Sequence, residues 1–220
     1  MFLLLSCNLG LQPMDHVVHG EAPGDSEFPT VDDPPIDADL SGRLYSIGAG
    51  NMVIEAPSGL DTVKAQLFPH NLLIYVVDQA GTRLQLAMAL AGDDGRQNHC
   101  EVVRTLPVAD WSNNPAFLVG PGSVQTTFAG SAATFLDFQL YGVFEPDAAR
   151  FGHGVLEAGL DLRDLQAALP GTDCTALEGY GGSCGACPDG ELQCFELRVT
   201  QFKGDFLDSA FDSRETGDCQ

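Results

Sequence analysis

Cys184 and Cys187 have the spacing of a chemical motif, because two residues separate them. In thioredoxin-like redox sites this pair follows a strand and opens a helix, whose N-terminus lowers the pKa of the thiol. Here glycines and a serine precede Cys184, and Pro188 follows Cys187 directly, so both flanks are predicted loops. A zinc ribbon would need two such pairs, and the chain has one. We therefore predict structural disulfide chemistry for these cysteines, with a metal site and redox catalysis as the alternatives.

Ser183 lies in a second motif that overlaps the first. Residues 181–185 match the Gly-x-Ser-x-Gly nucleophile elbow of serine hydrolases. In that fold the catalytic histidine follows the serine in the chain, whereas the last histidine here, His153, precedes Ser183. The strand, turn and helix of an elbow are not predicted either. We assign no catalytic residue.

Several other side chains could bind a metal ion. His153 and Glu157 would share one face of a strand, and His70 or His99 could complete a site with them. The acidic pairs at 32–33 and 93–94 lack the alternating ligands and the glycine of a calcium-binding loop. We expect these groups to be solvated surface side chains, and we predict no metal and no cofactor.

The charge of the chain excludes one class of partner. Lysine and arginine number 10 against 31 aspartate and glutamate residues, which gives a net charge of −21. Such a field repels nucleic-acid backbones and anionic lipid headgroups, so nucleic-acid binding is excluded. The sequence also lacks the run of about 18 apolar residues that a membrane-spanning helix needs.

Residues 4–7, Leu-Leu-Ser-Cys, place a small residue before a cysteine at the end of an apolar run. This stretch resembles the lipobox of Gram-negative lipoproteins, whose cysteine becomes the diacylated N-terminus of the mature protein. The resemblance implies a lipid anchor on Cys7 and a location in the cell envelope, on the outer membrane, facing the periplasm or the cell surface. A secretory leader needs an apolar core of roughly 7 to 15 residues, so we expect residues 1–7 to be a truncated signal peptide with a lipobox.

The remaining cysteines form an even set, which favours disulfides in an oxidising compartment. Six cysteines allow 15 connectivities, and sequence cannot choose among them. Four of them cluster in residues 174–194, which suggests at least one local pair there and leaves the other two to join that cluster or each other. The candidate disulfide cysteines are Cys100, Cys174, Cys184, Cys187, Cys194 and Cys219.

Residues 8–40 are acidic and rich in proline, and they contain no lysine or arginine. Charge repulsion and proline oppose a packed structure, so we predict a disordered tether that extends from the anchor. The chain beyond it, residues 41–220, is predicted to be a single β domain whose residues 174–219 form a cysteine-rich segment.

Short apolar runs separated by turn residues predict antiparallel strands in this domain. Leu136, Phe138, Leu140 and Phe144 alternate with polar residues, and the run at 155–160 returns from a turn at 145–147. A second hairpin is predicted from 72–77 and 84–90, with its first strand the more buried. The other candidate strands are 43–47, 52–55, 101–105, 124–129 and 195–202.

Two short helices are predicted among the strands. A capping box of Ser58 and Asp61 would open a helix at 59–68, and a second helix covers 162–169. About eight strands with one or two short helices indicate a mainly β fold, an antiparallel barrel or sandwich, with the barrel favoured because long hairpins close easily.

Two functions suit such a domain. In the first, the barrel interior or its mouth binds a small apolar molecule without catalysis, although the same alternation would describe a filled core. In the second, an envelope or cell-surface protein presents the loops 92–98 and 113–122 to a protein partner, with Trp111 as an anchor or as a cover for the core. An enzyme, whether hydrolase or metal-dependent, would need a constellation that we cannot assemble from the sequence.

The whole layout resembles uncharacterised exported lipoproteins of Gram-negative bacteria. The features that carry the resemblance are the lipobox, the acidic tether and the β domain that ends in a cysteine-rich segment with Cys187 before Pro188. It implies a membrane connection through the N-terminal lipid, and it implies no activity and no site residues other than Cys7.

Overall fold

A computed structural model of the chain describes residues 33–128, 131–168 and 173–212. The described residues contain eleven strands in one sheet. They are β1 (Leu44–Ile47), β2 (Val53–Ala56), β3 (Leu72–Ala80), β4 (Arg83–Leu90), β5 (Arg104–Thr105), β6 (Ala109–Asp110), β7 (Ala116–Phe128), β8 (Ser131–Phe144), β9 (Arg150–Asp161), β10 (Cys184–Gly185) and β11 (Cys194–Phe206).

Eight of these strands close into an antiparallel barrel in the order β1, β3, β4, β6, β7, β8, β9, β11. The closure is the pairing of β11 with β1, in which Tyr45 lies opposite Phe206. The three extra strands are β2 and β10, which pair with β11, and β5, which pairs with β4. The predicted mainly β barrel is therefore confirmed, and its alternative, a sandwich, is excluded because the sheet has no open edge between β1 and β11.

The helices of the described residues are short. Two are 3₁₀ helices, at Ala49–Asn51 and Ser58–Val63. The α-helices are α1 (Lys64–Leu67), α2 (Leu162–Ala168) and α3 (Cys174–Glu178). None of the described helices has the length and apolar character needed to span a membrane.

The helix predicted at 59–68 forms as the 3₁₀ helix followed by α1, but its predicted capping box is wrong. Pro57 is the N-cap, and no side chain caps the helix. Asp61 instead accepts a hydrogen bond from the backbone N–H of Ile54 at 2.9 Å and one from Lys64 Nζ at 2.9 Å. It therefore links the helix to β2.

Both predicted hairpins are present. β8 and β9 pair around the turn at 145–147, with Phe144 opposite Phe151, and β3 pairs with β4 around Gly81. The prediction that β3 is the more buried strand is wrong. Ala87 and Ala89 on the outer face of β4 are buried in a second apolar cluster with Leu207 and Phe211, so β4 is covered on both faces.

Three bulges on neighbouring strands change which side chains point inward. Asp137, His153 and Gln201 have positive φ angles of 50°, 52° and 54°, and each lies beside a shift of register in β8, β9 or β11. A bulge adds one residue to a strand, so the inward positions change from odd to even or the reverse. In β8 the core residues are accordingly Phe135 and Phe138, and the prediction that Leu136 shares the inner face with Phe138 is wrong.

The segment 113–122, predicted as a loop, is mostly strand. β7 begins at Ala116 and continues through Gly120, whose φ of 90° accommodates a bulge before Pro121.

Trp111 is 3% exposed and its ring lies 5.6 Å from that of Phe144 in an edge-to-face contact. Trp111 therefore covers the core, as the second of its two predicted roles required.

Residues 33–40, the end of the predicted tether, lie on the barrel. Ile36 donates its backbone N–H to Asn114 Oδ1 at 3.0 Å and accepts a hydrogen bond from Asn114 Nδ2 at 2.9 Å. Ile36 and Leu40 are both buried in the main core. Residues 8–32 of that segment, and residues 1–7 with Cys7, lie outside the described residues.

Candidate functional site

Cys184 and Cys187 do not bond to each other. Cys184 forms a disulfide with Cys174, and Cys187 forms one with Cys194. A reversible dithiol between the two motif cysteines is therefore absent, and the structural alternative is the one that the geometry supports. Cys100 is also disulfide-bonded, while Cys7 and Cys219 lie outside the described residues.

One group of potential metal ligands occurs in the described residues, formed by Asp161, Cys187 and Cys194. Its two sulfurs are joined in the disulfide, so neither is a thiolate ligand. The carboxylate of Asp161 is held by Arg163, whose Nη2 lies 2.6 Å from Asp161 Oδ2. Hydrogen bonds from the Arg163 side chain lower the pKa of Asp161, and those to Asp161 and Asp189 raise the pKa of Arg163. The group therefore stabilises the cysteine-rich segment rather than presenting free ligands.

The other motif residues are also separated. Glu157 forms an ion pair with Arg198, and His70 Nδ1 lies 3.6 Å from Asp93 Oδ1. Ser183 is exposed in the segment between α3 and β10, without the strand, turn and helix of a nucleophile elbow. His153, and Asp33 of the acidic pair at 32–33, line the cleft described below.

Aromatic and aliphatic side chains pack together in the barrel interior. Tyr45, Phe117 and Phe151 are each at most 1% exposed. The ring of Phe144 lies 5.3 Å from Tyr45, 5.2 Å from Phe117 and 5.8 Å from Phe151, so the rings pack against one another directly. Burial raises the pKa of Tyr45 to about 12. In its described part the interior is a packed core.

An open cleft of about 530 Å³ lies on the outer side of the barrel, where β8, β9 and β11 meet the turn at 145–147. We call it the outer cleft. Two of the bulges form it, because the extra residues in β9 and β11 leave His153 and Gln201 exposed while Phe151 and Phe202 remain in the core. Gly152, which has no side chain, leaves the wall of the cleft open, whereas the missing Cβ atom of Gly154 faces Phe202, which is in the core.

The outer cleft has an apolar wall and a charged rim. Val143, Pro146 and Val155 contribute the wall, and the two valines belong to an outer apolar cluster with Ala116 and Tyr141. Burial raises the pKa of Tyr141 in that cluster. The polar residues of the rim are Asp33, Glu145, Arg150, His153, Gln201 and Lys203.

The charges of the rim are not equivalent. Arg150 Nε lies 3.5 Å from Glu145 Oε2 and 3.5 Å from Asp205 Oδ1, so this cation is already paired. Within the described residues Lys203 has no hydrogen bond and no ion pair. Its side chain passes Gly152, where an added Cβ atom would lie 4.0 Å from Lys203 Cγ. A free ammonium group therefore stands beside the open wall.

Sequence reasoning missed most of this cleft. His153 was singled out for a different chemistry, and Arg150, Gln201 and Lys203 were not singled out at all. A signal was available in β11, where the apolar residues change from odd positions at Leu197 and Val199 to the even position of Phe202. Such a change of parity indicates a bulge.

Comparison of the chain with protein-family models, with curated proteins and with solved structures gave no match.

Proposed function

We propose that the chain is an exported, lipid-anchored barrel that binds a small, largely apolar molecule without catalysis, in the outer cleft. This proposal rests on the difference between the barrel interior and the outer cleft. Among the described residues, aromatic and aliphatic side chains fill the interior, whereas the outer cleft combines about 530 Å³ of space with the apolar wall of Val143, Pro146 and Val155. Ligand pockets for small molecules have volumes of about 300–1,000 Å³ and mostly apolar linings.

Export is supported by the cysteine chemistry. All five cysteines among the described residues are disulfide-bonded. Disulfides persist in oxidising compartments and are rare in reducing ones. With a lipid on Cys7, the barrel is held at the outer membrane of a Gram-negative cell, facing the periplasm or the cell surface.

Native mass spectrometry tests this proposal. The protein is expressed from its full upstream reading frame, and the measurement is repeated after reduction and alkylation. The proposal expects an acylated chain, disulfides that disappear on reduction, and an added small mass that is lost on denaturation. An unmodified Cys7 together with free thiols would contradict export. An acylated, disulfide-bonded chain that retains nothing and takes up no apolar molecule on titration would contradict ligand binding.

The second candidate is an envelope interaction or structural protein, and the cysteine-rich segment favours it. Leu192 is 69% exposed and Tyr180 is 42% exposed, and both lie on the segment that the disulfides hold in place. On a rigid segment, an exposed leucine and an exposed tyrosine can serve as anchors for a protein partner. Leu192→Asp should then abolish capture of an envelope partner while leaving the thermal unfolding midpoint unchanged; unaltered capture would remove this candidate.

A further inference from the structure

We infer that the molecule bound in the outer cleft carries a carboxylate group, which pairs with Lys203 while its apolar part lies on Val143 and Val155. This inference rests on the proposed function and adds the chemical class of the ligand.

The position of Lys203 supports this pairing. The bulge at Gln201 sets the parity of β11 so that Phe202 packs in the core and Gln201 and Lys203 both project outward. If β11 alternated regularly beyond Val199, Gln201 and Lys203 would face the apolar interior, which is costly for an ammonium group. The bulge therefore places a cation and a side-chain amide on the rim of the same cleft.

An anion meets less repulsion at the rim than over the protein as a whole. The chain carries 31 acidic residues against 10 lysine and arginine residues, so most of its surface disfavours anions. In the outer cleft, Arg150 is shared between Glu145 and Asp205, whereas Lys203 forms no ion pair with any described residue. The lining contains two acidic and two basic side chains, so the cleft is less negative than the protein as a whole.

The charge of the ligand is inferred from the cations that line the cleft. Among the described residues of the rim, Lys203 is the one cation without an ion pair, which matches a single negative charge such as that of a carboxylate. A phosphate monoester carries a charge of about −1.5 to −2 at neutral pH, and the excess would be repelled by Asp33. Gln201, on the same rim, offers an amide N–H that can donate a hydrogen bond to the second carboxylate oxygen.

Isothermal titration calorimetry with two matched probes tests the inference. The probes are 4-phenylbutyrate and 4-phenylbutyramide, which share an apolar body and differ in charge. The full chain should bind the acid about five- to tenfold more tightly than the amide, as expected for a charge-assisted contact at a partly exposed site. Added salt should weaken binding of the acid and leave binding of the amide unchanged.

Three variants test whether the preference for the acid over the amide arises in the outer cleft. Lys203→Gln should remove the preference for the acid, and Asp33→Asn should increase it. Arg83→Gln removes the same charge from the exposed start of β4 and should leave both affinities unchanged. Far-ultraviolet circular dichroism and thermal unfolding establish that each variant is folded.

The possible results distinguish failure of the carboxylate assignment from failure of the proposed function. Equal affinities for acid and amide, or a preference that survives Lys203→Gln, would overturn the carboxylate class and leave apolar binding in place. The absence of saturable binding for both probes would overturn the carboxylate class and the proposed function together.

Discussion

Gly142 on β8 leaves the space that the ring of Phe117 occupies, since a Cβ atom at this position would lie 2.7 Å from Phe117 Cε1. The same atom would lie 3.2 Å from Phe151 Cδ2, so two aromatic rings close on one glycine. This contact shows how tightly the barrel interior is filled.

Gly142→Ala should therefore destabilise the barrel. Overpacking in a filled core costs about 1–3 kcal/mol, because rings on both sides must move. The free energy of unfolding in urea gives the measurement. Gly50→Ala is the matched control, since nothing lies within 4 Å of its added Cβ atom. Equal free energies of unfolding for the Gly142 and Gly50 variants would mean that the interior accommodates the added methyl group without strain.

Tyr45→Phe should change how stability depends on alkaline pH. Burial raises the folded-state pKa of Tyr45 to about 12, above its unfolded value of about 10. The unfolded chain thus loses this proton first, and the stabilisation present below pH 10 is lost as the pH rises toward 12. Phenylalanine has no hydroxyl proton to lose, so the stability of the variant should not show this decrease between pH 10 and pH 12.

At neutral pH the Tyr45→Phe variant should lose about 0.5–1.5 kcal/mol, the net value of one hydrogen bond, here donated by the tyrosine hydroxyl to the carbonyl of Ala148 at 3.1 Å. Urea unfolding between pH 8 and pH 11 provides both measurements. Tyr180→Phe, at an exposed tyrosine, serves as the control and should retain the wild-type profile. A Tyr45 variant that follows the wild-type profile would show that this hydroxyl does not titrate on unfolding.

Arg163→Gln should lower stability at neutral pH and much less in acid. Hydrogen bonds from Arg163 lower the pKa values of Asp161 and Asp189, so their stabilisation is present above the ordinary aspartate pKa. It disappears as the pH falls through the lowered values and the carboxylates are protonated. Urea midpoints of the wild type and the variant should therefore converge progressively as the pH falls below the ordinary aspartate pKa of about 4; a difference of constant size would contradict the ion pairs as its source.

The two disulfides of the cysteine-rich segment should contribute unequally. They close short loops, with sequence separations of 10 for Cys174–Cys184 and 7 for Cys187–Cys194. Loop entropy assigns each about 2–3 kcal/mol. Cys187 and Cys194 are both buried, so replacing this pair with alanine also removes core contacts and should cost more than replacing Cys174 and Cys184. Urea unfolding of the two double variants measures the order, and the reverse order would mean that loop length dominates.

Local pattern predicted much of the fold. The hairpins of β3 with β4 and of β8 with β9 follow from alternating side chains and short turns, which are properties of neighbouring residues. Closure of the barrel depends on β1 meeting β11, and this long-range contact is set by tertiary packing. The two disulfides of the cysteine-rich segment are local, but four neighbouring cysteines can pair in more than one way, and spacing alone could not choose the partners.

Of the outer cleft, only the bulge in β11 had a signal in the sequence, the change of parity between Val199 and Phe202. The cleft combines a bulge in β9 with a bulge in β11, on strands whose pairing the sequence did not specify. His153 tolerates a positive φ, whereas nothing in the local sequence singles out Gln201 for one. The buried outer faces at Ala87 and Tyr141 had no signature either, since alternation identifies one covered face and cannot show a second.

A chemical-shift map with 4-phenylbutyrate, recorded on amide and methyl groups of the labelled protein, tests most directly whether binding occurs outside a packed barrel. We expect saturable shifts at Val143, Gly152 and Val155 in the outer cleft, with the core methyl groups of Leu86 and Val119 unchanged. Shifts that concentrate on Leu86 and Val119 would show that the interior opens to ligand, and would contradict a filled barrel that binds at its outer face.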